Sequence, residues 1–177
     1  MRAAVVGLGW WGQVIVKNLV KSNKINVVCG VDQDLSQLKQ FGNEYNIELS
    51  DSYTSILSDS TIDSVILATP NRLHHTHIIE AAEAGKFIFC EKPLCLNAKN
   101  AKEAISACRE NGIILGLGHE RRFEPAMKRL FEHVAQGDIG RVLHVETNFS
   151  HDLFDSLSED NWRFDPKDAP GGGFTAR

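Results

Sequence analysis

A doubly wound parallel α/β sheet, followed by the start of an incomplete α+β region, is the fold this sequence predicts. Three observations carry the expectation. Short β-branched runs recur along the first two thirds of the chain. Each is followed by a segment whose apolar residues fall at helical spacing. The runs are continuously apolar instead of alternating, as strands covered on both faces must be. Strand–helix–strand repetition of this kind implies right-handed crossovers between parallel neighbours.

The elements follow in order. AAVVG (3–7) is the first run, and Val14, Ile15, Leu19 and Val20 share a face of the helix after it. INVVCGVD (25–32) is the second, with Leu35, Leu38 and Phe41 forming the next apolar face. The short strand-like stretch 47–49 precedes a helix expected to start near Ser52. DSVILAT (63–69) is followed by Ile78, Ile79 and Ala82, and KFIFC (86–90) by Ala101, Ala104, Ile105 and Cys108. GIILGLG (112–118) closes the series. The character then changes, so the boundary is set at 1–120 for the first domain and 121–177 for the beginning of a second. Pro125, a favoured first-turn residue, opens a helix that ends before Gly137. RVLHVETNFS (141–150) alternates and reads as an antiparallel strand with one wet face. A lone strand there would offer both edges to self-association. From 151 through the glycines 171–173 the chain reads as loop.

Composition narrows the function. The chain has 177 residues, 42% hydrophobic and 24% charged, as in ordinary globular proteins. Nineteen basic against 23 acidic residues leave a net charge of −4, which argues against nucleic acid or an anionic membrane as partner. No apolar run is long enough to span a bilayer. The N-terminus lacks the form of a signal peptide, so a cytoplasmic setting is expected. The four cysteines show no C-x-x-C spacing, and Cys29 and Cys90 sit inside apolar runs, as reduced buried thiols do. The histidines of LHHTHIIE lack companion ligands at suitable spacing, so no metal is expected.

The chemistry concentrates in three motifs. In GLGWWG, Gly7 permits the tight turn off the strand and Gly9 lets a pyrophosphate approach the backbone. Gly12 lets the helix pack close to the sheet. The helix start, with Leu8, Trp10 and Trp11 around it, supplies free N–H donors to phosphate. Asp32 ends the second strand about 20 residues beyond Gly12, where a carboxylate accepts hydrogen bonds from ribose hydroxyls. It would repel a 2′-phosphate and no arginine follows it, so NAD is favoured over NADP. ATPN brings Thr69, Pro70 and Asn71 to the end of the fourth strand, where doubly wound sheets bind ligands. CEKPL places Glu91 and Lys92 at the mouth of the fifth; a lysine there can hydrogen-bond a substrate hydroxyl and help move its proton. Taken alone, this last motif also fits a solvated Glu–Lys pair at a loop start.

In order and spacing, GLGWWG, Asp32, ATPNRLH, AGKFIFCEKPL and GHERRFEPA resemble the glucose–fructose oxidoreductase, inositol dehydrogenase and MocA family. The resemblance implies a Rossmann domain and a nicotinamide cofactor that oxidises or reduces a hydroxyl-bearing carbon of a sugar, cyclitol or similar polyhydroxylated molecule. It implies that Thr69, Pro70, Asn71 and His74 line the cofactor, and that Glu91 and the catalytic Lys92 face nicotinamide and substrate. Arg122 matches a substrate-contacting position, although Glu120 replaces the family's usual asparagine. Trp162 and Arg163 resemble a pair placed near the cofactor. Family members continue past the glycine-rich turn into G-x-H-x-x-D and a homo-oligomerising sheet. That likeness makes this chain an expected N-terminal portion, weakly active or inactive by itself. The alternative is a stand-alone dinucleotide-binding module without catalysis.

Overall fold

The computed structural model describes residues 1–148, 150, 152, 155, 157, 158 and 161–170. Two compact units emerge: Met1–Gly118 together with the segment beginning at Trp162, and His119–Asn161.

The first unit is a six-stranded parallel sheet. Its strands and helices alternate: β1 (Arg2–Val6), α1 (Trp10–Leu19), β2 (Asn26–Val31), α2 (Lys39–Tyr45), β3 (Glu48–Ser50), α3 (Tyr53–Ser58), β4 (Ser64–Leu67), α4 (His74–Glu83), β5 (Phe87–Glu91), α5 (Ala98–Glu110) and β6 (Leu115–Gly118). The spatial order is β3-β2-β1-β4-β5-β6, all pairs parallel. The order reverses between β1 and β4, and ligands of such sheets bind outside the strand ends at that point.

The continuously apolar runs have the predicted cause. Ala3 and Val5 point into a core shared with Val16, Val27, Phe41 and Ile66. Ala4 and Val6 point the other way, into a core with Val31, Leu67, Ile78 and Ala104. One strand therefore serves two cores, and every residue of AAVV must be apolar.

Local signals set the element ends. Ser52 caps α3 by accepting from the Ser55 N–H at 3.2 Å. Asn97 caps α5 in the same way through Asn100 at 2.9 Å. Gly112, at φ +67°, ends α5, and its neighbour Ile113 donates back to the Cys108 carbonyl at 2.8 Å. β6 therefore starts three residues later than the apolar run, with the Ile114 carbonyl just before it already accepting from the Ile88 N–H of β5 at 3.0 Å. On α1 the fully buried positions are Gly12 and Val16, while Val20 of the expected face is exposed. Leu35 and Leu38 lie in turns before α2, which is only seven residues long.

The second unit contains a 3-10 turn (Glu120–Phe123) and helix α6 (Pro125–Gln136), with Pro125 in its first turn and Gly137 left-handed at its end. The strand expected over 141–150 is not formed: residues 141–148 carry no strand, and Phe149 lies outside the described residues. A strand exists only as part of a ladder, and among the described residues no backbone hydrogen bond joins 141–148 to another strand. The self-association expected of its edges loses its basis. The glycines 171–173 also lie outside the described residues. Among the described residues no helix is long and apolar enough to cross a membrane.

Candidate functional site

Pairing of Val6 with both Val31 and Leu67 brings the ends of β1, β2 and β4 into line. Gly7, Asp32 and Ala68 therefore emerge side by side. Gly7 turns off β1 at φ +89°, its N–H donating to the Val31 carbonyl at 2.8 Å. A Cβ on Gly7 would stand 2.7 Å from the Ala68 carbonyl oxygen, and one on Gly12 would collide with the Gly7 carbonyl. Helix α1 thus sits as close to the strand end as backbone permits. Gly9 is different: no atom lies within 4 Å of where its Cβ would be. It is the open side of the turn. Gly9 also precedes α1 without a side-chain cap, leaving the first N–H groups of the helix available to an anion.

The side chains between the glycines divide by task. Leu8 is buried against Gly30 and belongs to the core, so only its backbone can serve a ligand. Its N–H donates to Asp32 Oδ2 at 2.7 Å, fixing that carboxylate beside the glycine turn. Trp10 is 76% exposed and tilts against Trp11, with ring centroids 5.4 Å apart. Among the described residues the Trp11 indole nitrogen is buried without a partner, as is the Nδ2 of Asn71 on the neighbouring turn. Two buried donors lacking acceptors, beside an uncapped helix start, fit a ligand rich in acceptor oxygens. The donor set, the open Gly9 and the acid at Asp32 together suit a dinucleotide.

The ATPN turn and the EKP turn lie on neighbouring strands. Thr69 and Pro70 lead into a short 3-10 turn (Asn71–Leu73) and then α4. Glu91 is 7% exposed, its carboxylate over Gly118, where a Cβ would lie 2.8 Å away. The Lys92 N–H reaches Glu91 Oε2 at 3.3 Å, and Lys92 itself is half-buried. His74 is 1% exposed, and both its ring nitrogens face backbone carbonyls, Pro93 at 2.8 Å and Thr69 at 2.9 Å. The ring thus lies between the ATPN turn and the EKP turn.

Other contacts had no sequence signal, because they join residues far apart in the chain. Arg72 pairs with Asp168 at 3.1 Å, which ties the segment carrying Trp162 and Arg163 to the Asn71 turn. Arg163 lies over the Trp162 ring at 4.4 Å. Arg122 lies in the second unit, 5.9 Å from the Phe131 ring. The buried thiols are held protonated, Cys29 being pushed up to about 11 chiefly by burial.

His77 also belongs to this wall. Its Nδ1 is 3.4 Å from Thr69 Oγ1, its ring is tilted against Tyr53 at 4.5 Å, and the Tyr53 hydroxyl donates to its carbonyl at 2.7 Å. Burial, with a smaller contribution from His74, lowers His77 to about 4. In the unfolded chain it titrates near 6.5, so the unfolded state binds the extra proton as pH falls from 6.5 to 4. The fold should therefore lose stability over that window, by about 1 kcal/mol from this group after solvent screening. Urea midpoints at pH 7 and pH 5 measure the loss. His77→Phe, which keeps the ring against Tyr53, should flatten the difference; an unchanged slope would refute the assignment.

The sheet order, the glycine turn and the acid define a dinucleotide-binding α/β domain. Residues 1–119 match the family model for the Gfo/Idh/MocA oxidoreductases, described as "Oxidoreductase family, NAD-binding Rossmann fold", and the chain belongs to that family. It is 38% identical over 148 residues to the scyllo-inositol 2-dehydrogenase (NAD(+)) of Bacillus subtilis, covering 82% of this chain and 43% of that protein. Against the D-xylose 1-dehydrogenase [NADP(+)] of Haloarcula marismortui it is 27% identical, covering 93% and 48%. The crystal structure of an oxidoreductase from Desulfitobacterium hafniense superposes with a TM-score of 0.90 at 30% identity, over 99% of this chain and 51% of that one. The chain spans about two fifths to one half of the length of these relatives.

Proposed function

We propose that this chain is the cofactor-binding part of an NAD-dependent dehydrogenase that acts at a hydroxyl-bearing carbon of a polyhydroxylated small molecule, a sugar or cyclitol. The observation that carries the reading is the uncapped start of α1, open at Gly9, with the Asp32 carboxylate fixed beside it by the Leu8 N–H. The backbone N–H groups around Gly9, Trp10 and Trp11 would hold the pyrophosphate, and Asp32 the adenosine ribose. Thr69, Pro70 and Asn71 would form the wall beside the nicotinamide half, with Trp162 and Arg163 on the segment that Arg72 secures. Nicotinamide supplies the hydride chemistry when bound. Lys92 would donate to the substrate hydroxyl and help move its proton, and Arg122 would contact the substrate. Protonated, buried thiols suit a reducing cytoplasm. A homo-oligomeric parent and the absence of nucleic-acid, membrane or metal partners complete the reading.

A second reading has its own support. Every cofactor candidate falls in one compact unit, Met1–Gly118 with the segment from Trp162. Such a unit could bind dinucleotide without turning anything over. One experiment separates the two. The chain is titrated with NAD and with NADP, followed by tryptophan fluorescence from Trp10 and Trp11, and then assayed for NADH formation with inositols and sugars. Saturable, NAD-preferring binding with turnover supports the dehydrogenase; binding without turnover supports the module. No binding of either nucleotide by the folded chain refutes both. Lys92→Ala should leave NAD affinity within about twofold and lower turnover by a hundredfold or more, the scale of a lost proton-transfer group. Retained turnover would end the catalytic role of Lys92.

A further inference from the structure

We infer that Gln13 is a positioning residue for the pyrophosphate, its side-chain amide holding the Leu8–Gly9 peptide in the orientation that presents the Gly9 N–H to the anion. The inference rests on the dinucleotide reading above. Gln13 is the fourth residue of α1 and is half-buried. Its Nε2 reaches back past the start of the helix and donates to the Leu8 carbonyl at 3.0 Å. A carbonyl only accepts, so the end of the amide that faces it is the nitrogen.

Three consecutive peptide planes make up the turn, and each is held by a different group. The first carries the Leu8 N–H, which donates to Asp32 Oδ2 at 2.7 Å. The third carries the Gly9 carbonyl, which accepts from the backbone N–H of Gln13 at 3.0 Å. The middle plane carries the Leu8 carbonyl and the Gly9 N–H, which point to opposite sides of a trans peptide. Among the described residues the Gly9 N–H donates to no protein group, and the Gln13 amide is what holds this plane. That bond opposes a flip. A flip turns Leu8 ψ and Gly9 φ in opposite senses and leaves the neighbouring planes in place. It would carry Gly9 from φ −62° to positive φ, which glycine enters readily. The flipped turn would aim the Leu8 carbonyl oxygen at a phosphate drawn to the uncapped helix start. Gly9 thus opens the turn to phosphate and also makes it able to flip, and Gln13 blocks the flip. On the neighbouring turn Asn71, 4% exposed, keeps an Nδ2 without a partner among the described residues, a further donor for the same ligand.

Gln13→Met keeps the length of the side chain and its helix propensity and removes the donor. It should weaken NAD and ADP, which carry a pyrophosphate, by about fivefold to tenfold, the worth of one hydrogen bond. Adenosine offers Asp32 its ribose and has no phosphate; its affinity, read by displacement of ADP, should stay within twofold. Gln13→Asn keeps the amide but falls one methylene short of the Leu8 carbonyl, so it should match Gln13→Met on all three ligands. A general loosening of the turn would weaken adenosine as much as NAD, since the same turn holds Asp32 through the Leu8 N–H. Equal losses for the three ligands, or wild-type affinity for NAD and ADP in either variant, would overturn the inference. The Gly9 amide resonance gives a second reading: saturation with ADP should move it in the wild type and move it less than half as far in Gln13→Met. Equal movement in both would also overturn the inference. If the wild-type chain binds neither NAD nor ADP, the dinucleotide reading falls and this inference with it. Binding by the wild type with no loss in the variants sinks the role of Gln13 alone.

Discussion

Gly9→Ala and Gly12→Ala, one methyl group each in the same turn, should fail in opposite ways. At Gly12 the added Cβ collides with the Gly7 carbonyl oxygen and lies 2.9 Å from its carbon. Gly7 cannot retreat, because its N–H is bonded to Val31 and its own Cβ position is already 2.7 Å from the Ala68 carbonyl. Relief requires lifting α1 off the sheet, where Val16 is fully buried. Overpacking against backbone costs about 3 kcal/mol, and about 10 °C in melting temperature for a chain of this size. NAD affinity should fall with it by more than tenfold. Gly9 is at φ −62°, which alanine adopts freely, and its Cβ meets nothing within 4 Å. Gly9→Ala should melt within about 2 °C of wild type, yet lose tenfold or more in NAD affinity, because the methyl occupies the phosphate's approach. Thermal melts and nucleotide titrations of both variants check this. Wild-type NAD affinity in Gly9→Ala would sink the placement of the pyrophosphate.

The same turn shows what the sequence could and could not disclose. Glycine spacing, the apolar strand before it and the acid at Asp32 are all local, and each has one economical structural meaning. The turn, strand β1 and the doubly wound parallel sheet followed from them. What stayed hidden depends on contacts between distant residues. The Leu8 N–H that holds Asp32, the Arg72–Asp168 pair and the contact of the His74 ring with the Pro93 carbonyl join segments about 20 to 100 residues apart. No periodicity encodes them. His74 was legible as a candidate site residue, but the Pro93 and Thr69 carbonyls at its ring nitrogens were not. The alternation of 141–148 misled for a related reason: period-two patterning states which face a strand would bury, and the ladder partner that would make it a strand is a separate fact.

Asp32 should prove the residue on which cofactor choice turns. Its Oδ2 accepts from the Leu8 N–H at 2.7 Å and its Oδ1 from the Asp34 N–H at 3.3 Å. A carboxylate has about four acceptor sites, so two remain for the ribose hydroxyls. Asp32→Ala removes both the ribose ligand and the partner of a half-buried N–H, whose loss costs about 1–3 kcal/mol. Its effect on affinity would therefore mix binding with loop disorder. Asp32→Asn separates them better: the amide oxygen still accepts from Leu8 at the glycine turn, while the charge and the longer contact from the Asp34 N–H are lost. Asp32→Asn should melt near wild type, bind NAD about tenfold more weakly and bind NADP no worse than before, because the repulsion of a 2′-phosphate has been relieved. The NAD preference should shrink without reversing, since Asp34 remains exposed two residues on, its carboxylate accepting from Ser36. Titrations at low and high salt make the electrostatic part visible, as added salt should narrow the gap between the nucleotides in wild type more than in the variant. An NAD-to-NADP ratio unchanged by Asp32→Asn would mean that the carboxylate shapes the glycine turn alone and that selectivity resides elsewhere.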